Sequence, residues 1–116
     1  MVSEQTLVRV QAELLPILRG AIGERDARRD LITVDGETGP GWLFYERTVM
    51  TDAVNARRHE QGLAAVTTRD IADADGCAAG HADYVTKFTL YCAELVMAAP
   101  TPADPPAYQP QQAPRA

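Results

Sequence analysis

Six of the eight prolines fall at positions 100, 102, 105, 106, 110 and 114, inside the last 17 residues of the 116-residue chain. Proline fixes its φ angle and donates no backbone hydrogen bond, so this stretch can enter neither a helix interior nor a central strand. APTPADPPAYQPQQAPRA is the one low-complexity segment, and its Pro/Ala/Gln composition favours extended polyproline II backbone. The folding unit is therefore expected over residues 1–99, with residues 100–116 as a Pro-rich extended or disordered arm. A unit of that size has one core and buries roughly two thirds of the surface its unfolded chain exposes. With hydrophobic residues at 46% and charged residues at 23%, it carries enough apolar surface to fold.

The apolar positions repeat at helical spacing. Leu7, Val10, Leu14, Ile17, Leu18, Ala21 and Ile22 mark a helix over about 3–23, with Ser3 as N-cap, Gly20 and Gly23 at its end, and Pro16 as an expected kink or second start. Trp42, Tyr45, Val49, Ala53 and Ala56 mark a second over 42–62, closed by Gly62. Ile71, Ala74, Ala78, Val85, Phe88, Cys92, Leu95 and Ala99 mark a third over 68–98, with Thr68 as N-cap and Asp70 favoured by the helix dipole. Between the first two, LITV (31–34) is β-branched and DGETGPG (35–41) is turn-forming. LITV can pair with WLFY (42–45) as a short β-hairpin, or Pro40 can open a helix running through Trp42, which is the favoured reading. The fold class is thus mainly α: a three-helix domain with a possible hairpin or strand at 31–45.

Unbroken, the third helix would be about 46 Å long, against a diameter of about 32 Å for a compact domain of this size. It either bends at Gly76 or Gly80 or carries an end that another chain covers.

Charge and cysteine usage restrict the function classes. Eleven basic against sixteen acidic residues give a net charge of −5, the wrong sign for a protein that grips a phosphate backbone, so the charge disfavours nucleic acid as the main partner. Ten of the eleven basic residues are arginine and only Lys87 is lysine. The start MVSEQTLVRVQ lacks a secretory signal pattern, and no apolar run is long enough to span a membrane. The expected location is a cytoplasm, with Cys77 and Cys92 reduced, since on one helix they would stand about 22 Å apart.

Each chemical motif has a plainer reading. Asp73, Cys77 and His81 follow i, i+4, i+8 spacing, but a structural zinc site wants four ligands and the only other histidine is His59, so no metal is assigned. Tyr84 and Lys87 mimic a short-chain dehydrogenase dyad at the wrong spacing and without a dinucleotide turn, and DGETGPG lacks the lysine of a phosphate loop. Ser3 is the sole serine. The expectation is a protein without catalytic residues or cofactor.

The interaction candidates are Arg57 and Arg58, His81, Asp83, Tyr84, Lys87, Phe88 and Tyr91, and, in the arm, Pro105, Pro106 and Tyr108. Arg57 and Arg58 suit the C-terminus of their helix and could also meet the aspartates of 70–83 across a chain contact. Tyr84, Phe88 and Tyr91 form a stripe read as core before contact surface, while His81 and Asp83 are expected to tie their helix to a neighbour. Pro105 to Tyr108 match the P-P-x-Y pattern of WW-domain ligands, although an arm lying along a groove is the better reading.

The phrases AVNARR, VT-x-x-DI and GH-x-DY-x-x-KF-x-LYCAELV, spread over residues 46–96, resemble a family of small proteins of actinobacterial phages and prophages. The resemblance transfers no catalytic residue. It implies a phage origin and a non-enzymatic interaction protein: a virion accessory structural component such as a minor capsid, decoration or connector protein, binding capsid or tail proteins or itself. The alternative is an intracellular factor that binds and modulates a host protein. On the first reading, deleting residues 100–116 abolishes incorporation into particles; particle proteomics finding the truncated chain at normal copy number would refute a role for the arm.

Overall fold

The computed structural model describes residues 4–98. The arm, with Pro105, Pro106 and Tyr108, lies outside the described residues. The element order is α1 (Glu4–Ile22), a 3-10 turn η1 (Asp26–Arg28), β1 (Leu31–Val34), β2 (Glu37–Pro40), α2 (Gly41–Glu60), α3 (Thr68–Ala78) and α4 (Tyr84–Met97). The fold is mainly helical with one small antiparallel hairpin.

The core lies among all four helices, from Val10, Leu14 and Leu18 of α1, Met50 and Val54 of α2, Ile71, Ala74 and Ala78 of α3, and Phe88, Cys92, Ala93 and Val96 of α4. α1 packs on both α4 and α2, and α3 fills the space beside α2 and α4. The small residues Ala74, Ala78 and Ala93 let the helices approach closely around the fully buried Phe88. Pro16 sits on the exposed side of α1, where its missing donor leaves the helix unbroken to Ile22. The expected second start does not occur.

Helix ends follow local chemistry. Gly62, at φ 74°, closes α2 in a Schellman arrangement: its amide donates to the His59 carbonyl at 3.0 Å and the Leu63 amide to the Arg58 carbonyl at 2.9 Å. The cap of α3 is Thr67, one residue before the expected Thr68. Thr67 and Asp70 form a reciprocal capping box, with the Asp70 amide donating to Thr67 Oγ1 and the Thr67 amide to Asp70 Oδ2.

The third helix expected over 68–98 is two helices. α3 stops at Ala78, residues 79–83 (Ala-Gly-His-Ala-Asp) turn the chain, and α4 restarts at Tyr84. Segments of 11 and 14 residues fit inside principal extents of 41 × 38 × 25 Å. The overhanging end that pointed to a covering partner is therefore absent, because the chain breaks beside Gly80, one of the two weak points.

The segment 31–45 combines both expected alternatives. A helix does run through Trp42, beginning at Gly41, and LITV is a strand, but its mate is Glu37–Pro40 and not WLFY. The two-residue turn Asp35-Gly36 has positive φ at both positions, 50° and 83°, the geometry that matches strand twist. β2 then runs into α2 with no intervening loop. Gly41 permits this junction, since a Cβ there would stand 3.1 Å from the Arg28 carbonyl oxygen.

Phe88 is fully buried and is a core residue, not a contact residue, because it faces the centre of the helical layer. Phe88→Ala should cost about 3–5 kcal/mol in chemical denaturation; a loss under about 1 kcal/mol, the scale of surface substitutions, would contradict this placement.

Candidate functional site

The hairpin stands at one end of the molecule, over a network of buried charges. Glu46, in the second turn of α2, is 1% exposed. Arg25, just after α1, reaches it with both arms of its guanidinium, Nε to Oε2 at 2.6 Å and Nη2 to Oε1 at 3.0 Å. The same guanidinium lies 4.0 Å over the Trp42 ring, and Arg28 lies 3.8 Å over Tyr45. The stacked rings and the carboxylate thus fix the α1–β1 connection to the first turns of α2. The hydrogen bond to Glu46 also holds the Arg25 guanidinium above its usual pKa.

One turn on, Arg47 bridges three elements. Its Nε donates to Asp75 Oδ2 of α3 at 3.1 Å, and its Nη1 donates to Glu37 Oε1 of β2 at 3.2 Å. The other oxygen of the buried Asp75 accepts from the Tyr84 hydroxyl at 2.5 Å. Glu37, Arg47, Asp75 and Tyr84 therefore connect the hairpin to α2, α3 and α4. Burial, and then the hydrogen bond to Asp75, raise the Tyr84 pKa above the ordinary phenol range. Cys92, fully buried in the adjacent core, is pushed up to about 12, mainly by burial.

The hairpin itself is exposed. Leu31 is 72% exposed, and Ile32 and Val34 are 43% and 39% exposed. Gly39, opposite Ile32, packs on Leu43 and Phe44 of α2, so the Ile32 face leans on the helix while the Leu31 face meets solvent. The Thr33 and Thr38 hydroxyls bond across that outer face at 2.7 Å.

The other end of the bundle is closed by Arg58. It is 6% exposed and donates to the carbonyls of Ala64 (2.6 Å), Leu95 (2.5 Å) and Ala98 (3.3 Å), joined by Gln61 on the Val96 carbonyl (3.1 Å). Desolvation lowers its pKa. Arg58 is thus an internal cap for the C-terminus of α4 and has no charge to offer a partner, which corrects its place among the contact residues. Arg57 pairs with Glu13 of α1 at 3.1 Å, and that hydrogen bond holds the Glu13 carboxyl below its ordinary range.

The remaining candidates are scattered. His81 and Asp83 are exposed in the α3–α4 connector, where the His81 amide donates to the Ala78 carbonyl and the Asp83 carbonyl accepts from the Lys87 amide. The expected tie to a neighbouring helix is made instead by Tyr84 through Asp75. Lys87 and Tyr91 are half-buried. Because α3 ends at Ala78, His81 no longer shares a helix face with Asp73 and Cys77, and no metal-binding group of three or more ligands occurs among the described residues. The aspartates of 70–83 are not one acidic face, since Asp75 is buried and Asp70 serves the α3 cap.

Among the described residues no helix is long and apolar enough to cross a membrane. No family model, curated protein or solved structure matches the chain.

The raised pKa values of Cys92 and Tyr84 have one sign for stability. The folded chain keeps the Cys92 and Tyr84 protons where the unfolded chain, with values near 9.0 and 10.0, releases them. Their contribution is complete below those unfolded values and is lost as pH rises through the folded ones. Denaturation between about pH 8 and about pH 11 should therefore show falling stability above about pH 9. Tyr84→Phe should cost about 1–2 kcal/mol at neutral pH and flatten the fall above pH 10, leaving the Cys92 component. An unchanged slope would mean that Tyr84 does not retain its proton.

Proposed function

We propose that the protein is a non-enzymatic interaction domain that presents the β1 edge to a protein partner, and that it serves an actinobacterial phage as an accessory structural component of the particle. The observation that carries the interaction reading is the pairing of an apolar, exposed strand with a rigid foundation. Leu31 faces solvent and Ile32 and Val34, on the face that leans on α2, stay partly exposed on a four-residue strand, while Glu37 and the β2–α2 junction hold that strand to the helical body through Arg47, Arg25 and Glu46. An exposed apolar edge strand offers both hydrogen-bonding groups and side chains to an incoming strand. The phage assignment rests on the phrasing of residues 46–96, and it carries with it the cytoplasm of an actinobacterial host and the assembled virion as locations.

The ionisable side chains of the buried network are engaged with one another, and this favours a structural role over acid–base work. Glu46 is chelated by Arg25, and Asp75 accepts from Arg47 and Tyr84. The alternative, an intracellular factor that binds a host protein through an acidic helical surface, loses support from the burial of Asp75 and the capping duty of Asp70.

Mass spectrometry of purified particles should find the chain at a stoichiometry comparable with other minor components. Leu31→Glu, at a position already 72% exposed, should leave helical circular dichroism unchanged and lower incorporation at least about tenfold, a difference of about 1.4 kcal/mol in partner binding. Absence of the chain from particles would overturn the virion role, and normal incorporation of the variant would overturn the role of the edge.

A further inference from the structure

Hydrogen-bond alternation settles which groups of β1 face outward. Pro40 opposes Leu31 and has no amide to give, and the Gly41 amide donates to the Asp30 carbonyl at 2.8 Å. Asp30, Ile32 and Val34 therefore bond inward to β2 or its extension, while the amides and carbonyls of Leu31 and Thr33 point to the free edge. The close Thr33–Thr38 hydroxyl pair fits a non-hydrogen-bonded position, where opposed side chains approach most nearly.

We propose that this edge pairs with a second copy of the chain, antiparallel, with Ile32 opposite the partner's Ile32 on the two-fold axis, giving a four-stranded sheet across the dimer. Two independent constraints select this register. The outward groups of Leu31 and Thr33 must form the hydrogen-bonded pairs, which allows Leu31 to exchange both bonds with the partner's Thr33, and the reverse. The flanking charges, just outside the paired strands, then come to the same ends of the sheet, Arg29 at the end of η1 beside the turn residue Asp35 of the second copy, twice over by symmetry. Arg29 is free to make that contact, since its ion pair with Asp26 is 3.5 Å long between groups 76% and 96% exposed. Shifting the register by one pair either way sets Leu31 opposite the partner's Asp35 or Arg29 opposite the partner's Thr33. The one mismatch, Asp30 opposite the partner's Val34, lies at the ends.

On one face of the joint sheet Ile32 and Val34 of both copies form a single apolar patch, continuous with Leu43 and Phe44 of α2. On the other, each Leu31 lies against the partner's Thr33, a cross-strand apolar and β-branched pair. Edge strands that avoid self-pairing commonly carry lysine, proline or an inward charge. LITV carries none of these. The edge is only four residues long, so the dimer is of the small-interface, reversible kind.

The dimer rests on the interaction reading and names a second copy as the protein partner that takes the β1 edge, but purified chain alone tests the dimer. A monomer that still enters particles would overturn the dimer and leave the proposed function standing. Sedimentation velocity from micromolar to millimolar concentration should show a concentration-dependent dimer. Thr33→Pro removes an outward amide that the hairpin does not use, and should raise the dissociation constant at least about tenfold with unchanged circular dichroism. With Cys77→Ala removing the exposed native thiol, Ile32→Cys should form an intermolecular disulfide on mild oxidation. Opposed Cα atoms at a non-hydrogen-bonded pair stand about 4.5 Å apart, within disulfide reach. Leu31→Cys should not cross-link, because the two residues 31 would sit diagonally. A wild-type chain monomeric throughout, a Thr33→Pro variant that dimerises as well as wild type, or cross-linking through position 31 in preference to 32 would each overturn the proposal.

Discussion

The Arg25–Glu46 pair is the contact on which the arrangement of the other elements depends. Glu46 is 1% exposed, and a buried carboxylate without a partner would cost several kcal/mol. The bidentate guanidinium satisfies both of its oxygens, and Trp42 covers the guanidinium in turn. Because Arg25 follows α1 directly and Glu46 is two turns inside α2 at most, the pair decides where the chain between them must turn. The hairpin, the η1 turn and the β2–α2 junction all lie in that interval. Arg47 and Asp75 extend the constraint to α3, and Tyr84 extends it to α4.

A hairpin of four-residue strands is marginal by itself. Here the buried charges substitute for the missing third strand. Glu37 reaches Arg47, Gly39 rests on Leu43 and Phe44, and Gly41 passes close to the Arg28 carbonyl. Such a foundation allows β1 to stay exposed on its outer face and at its free edge, with apolar side chains that would otherwise be drawn into the core. The far end of the bundle has the opposite design. Arg58 spends its donors on main-chain carbonyls of the α2–α3 connector and the end of α4, so its charge is consumed internally.

The helical periodicity was legible, because Leu14, Leu18, Met50, Val54, Phe88 and Cys92 recur at spacings that only a helix places on one face. The break after Ala78 was not, because Ala74, Ala78, Val85 and Phe88 keep helical spacing across a connector whose only marks are Gly80 and the polar His81 and Asp83. The hairpin was half legible. Asp35-Gly36 is a strong turn signal, but Glu37–Pro40 contains glycine and proline and shows no alternation, so the largely aromatic WLFY is the mate that the sequence offers LITV, beside the favoured helix through Trp42. The buried network was missed for a different reason. Glu46, Arg47 and Asp75 look like ordinary surface charges in sequence; Glu46 is satisfied by Arg25 from 21 residues away, and Asp75 by Arg47 and Tyr84 from other helices. The same holds for Arg58: a basic residue at a helix end suggested a dipole partner for its own helix, whereas it caps another one.

Amide hydrogen exchange along the hairpin tests most directly whether the buried Arg25–Glu46 pair holds the exposed edge in place. The inward amides of Ile32, Val34, Gly39 and Gly41 should be protected in the wild-type chain. In Glu46→Gln they should lose at least about tenfold in protection, while the amides of the Leu14 and Phe88 region change less. Inward hairpin amides that exchange freely in the wild type, or that keep their protection when Glu46 loses its charge, would contradict it.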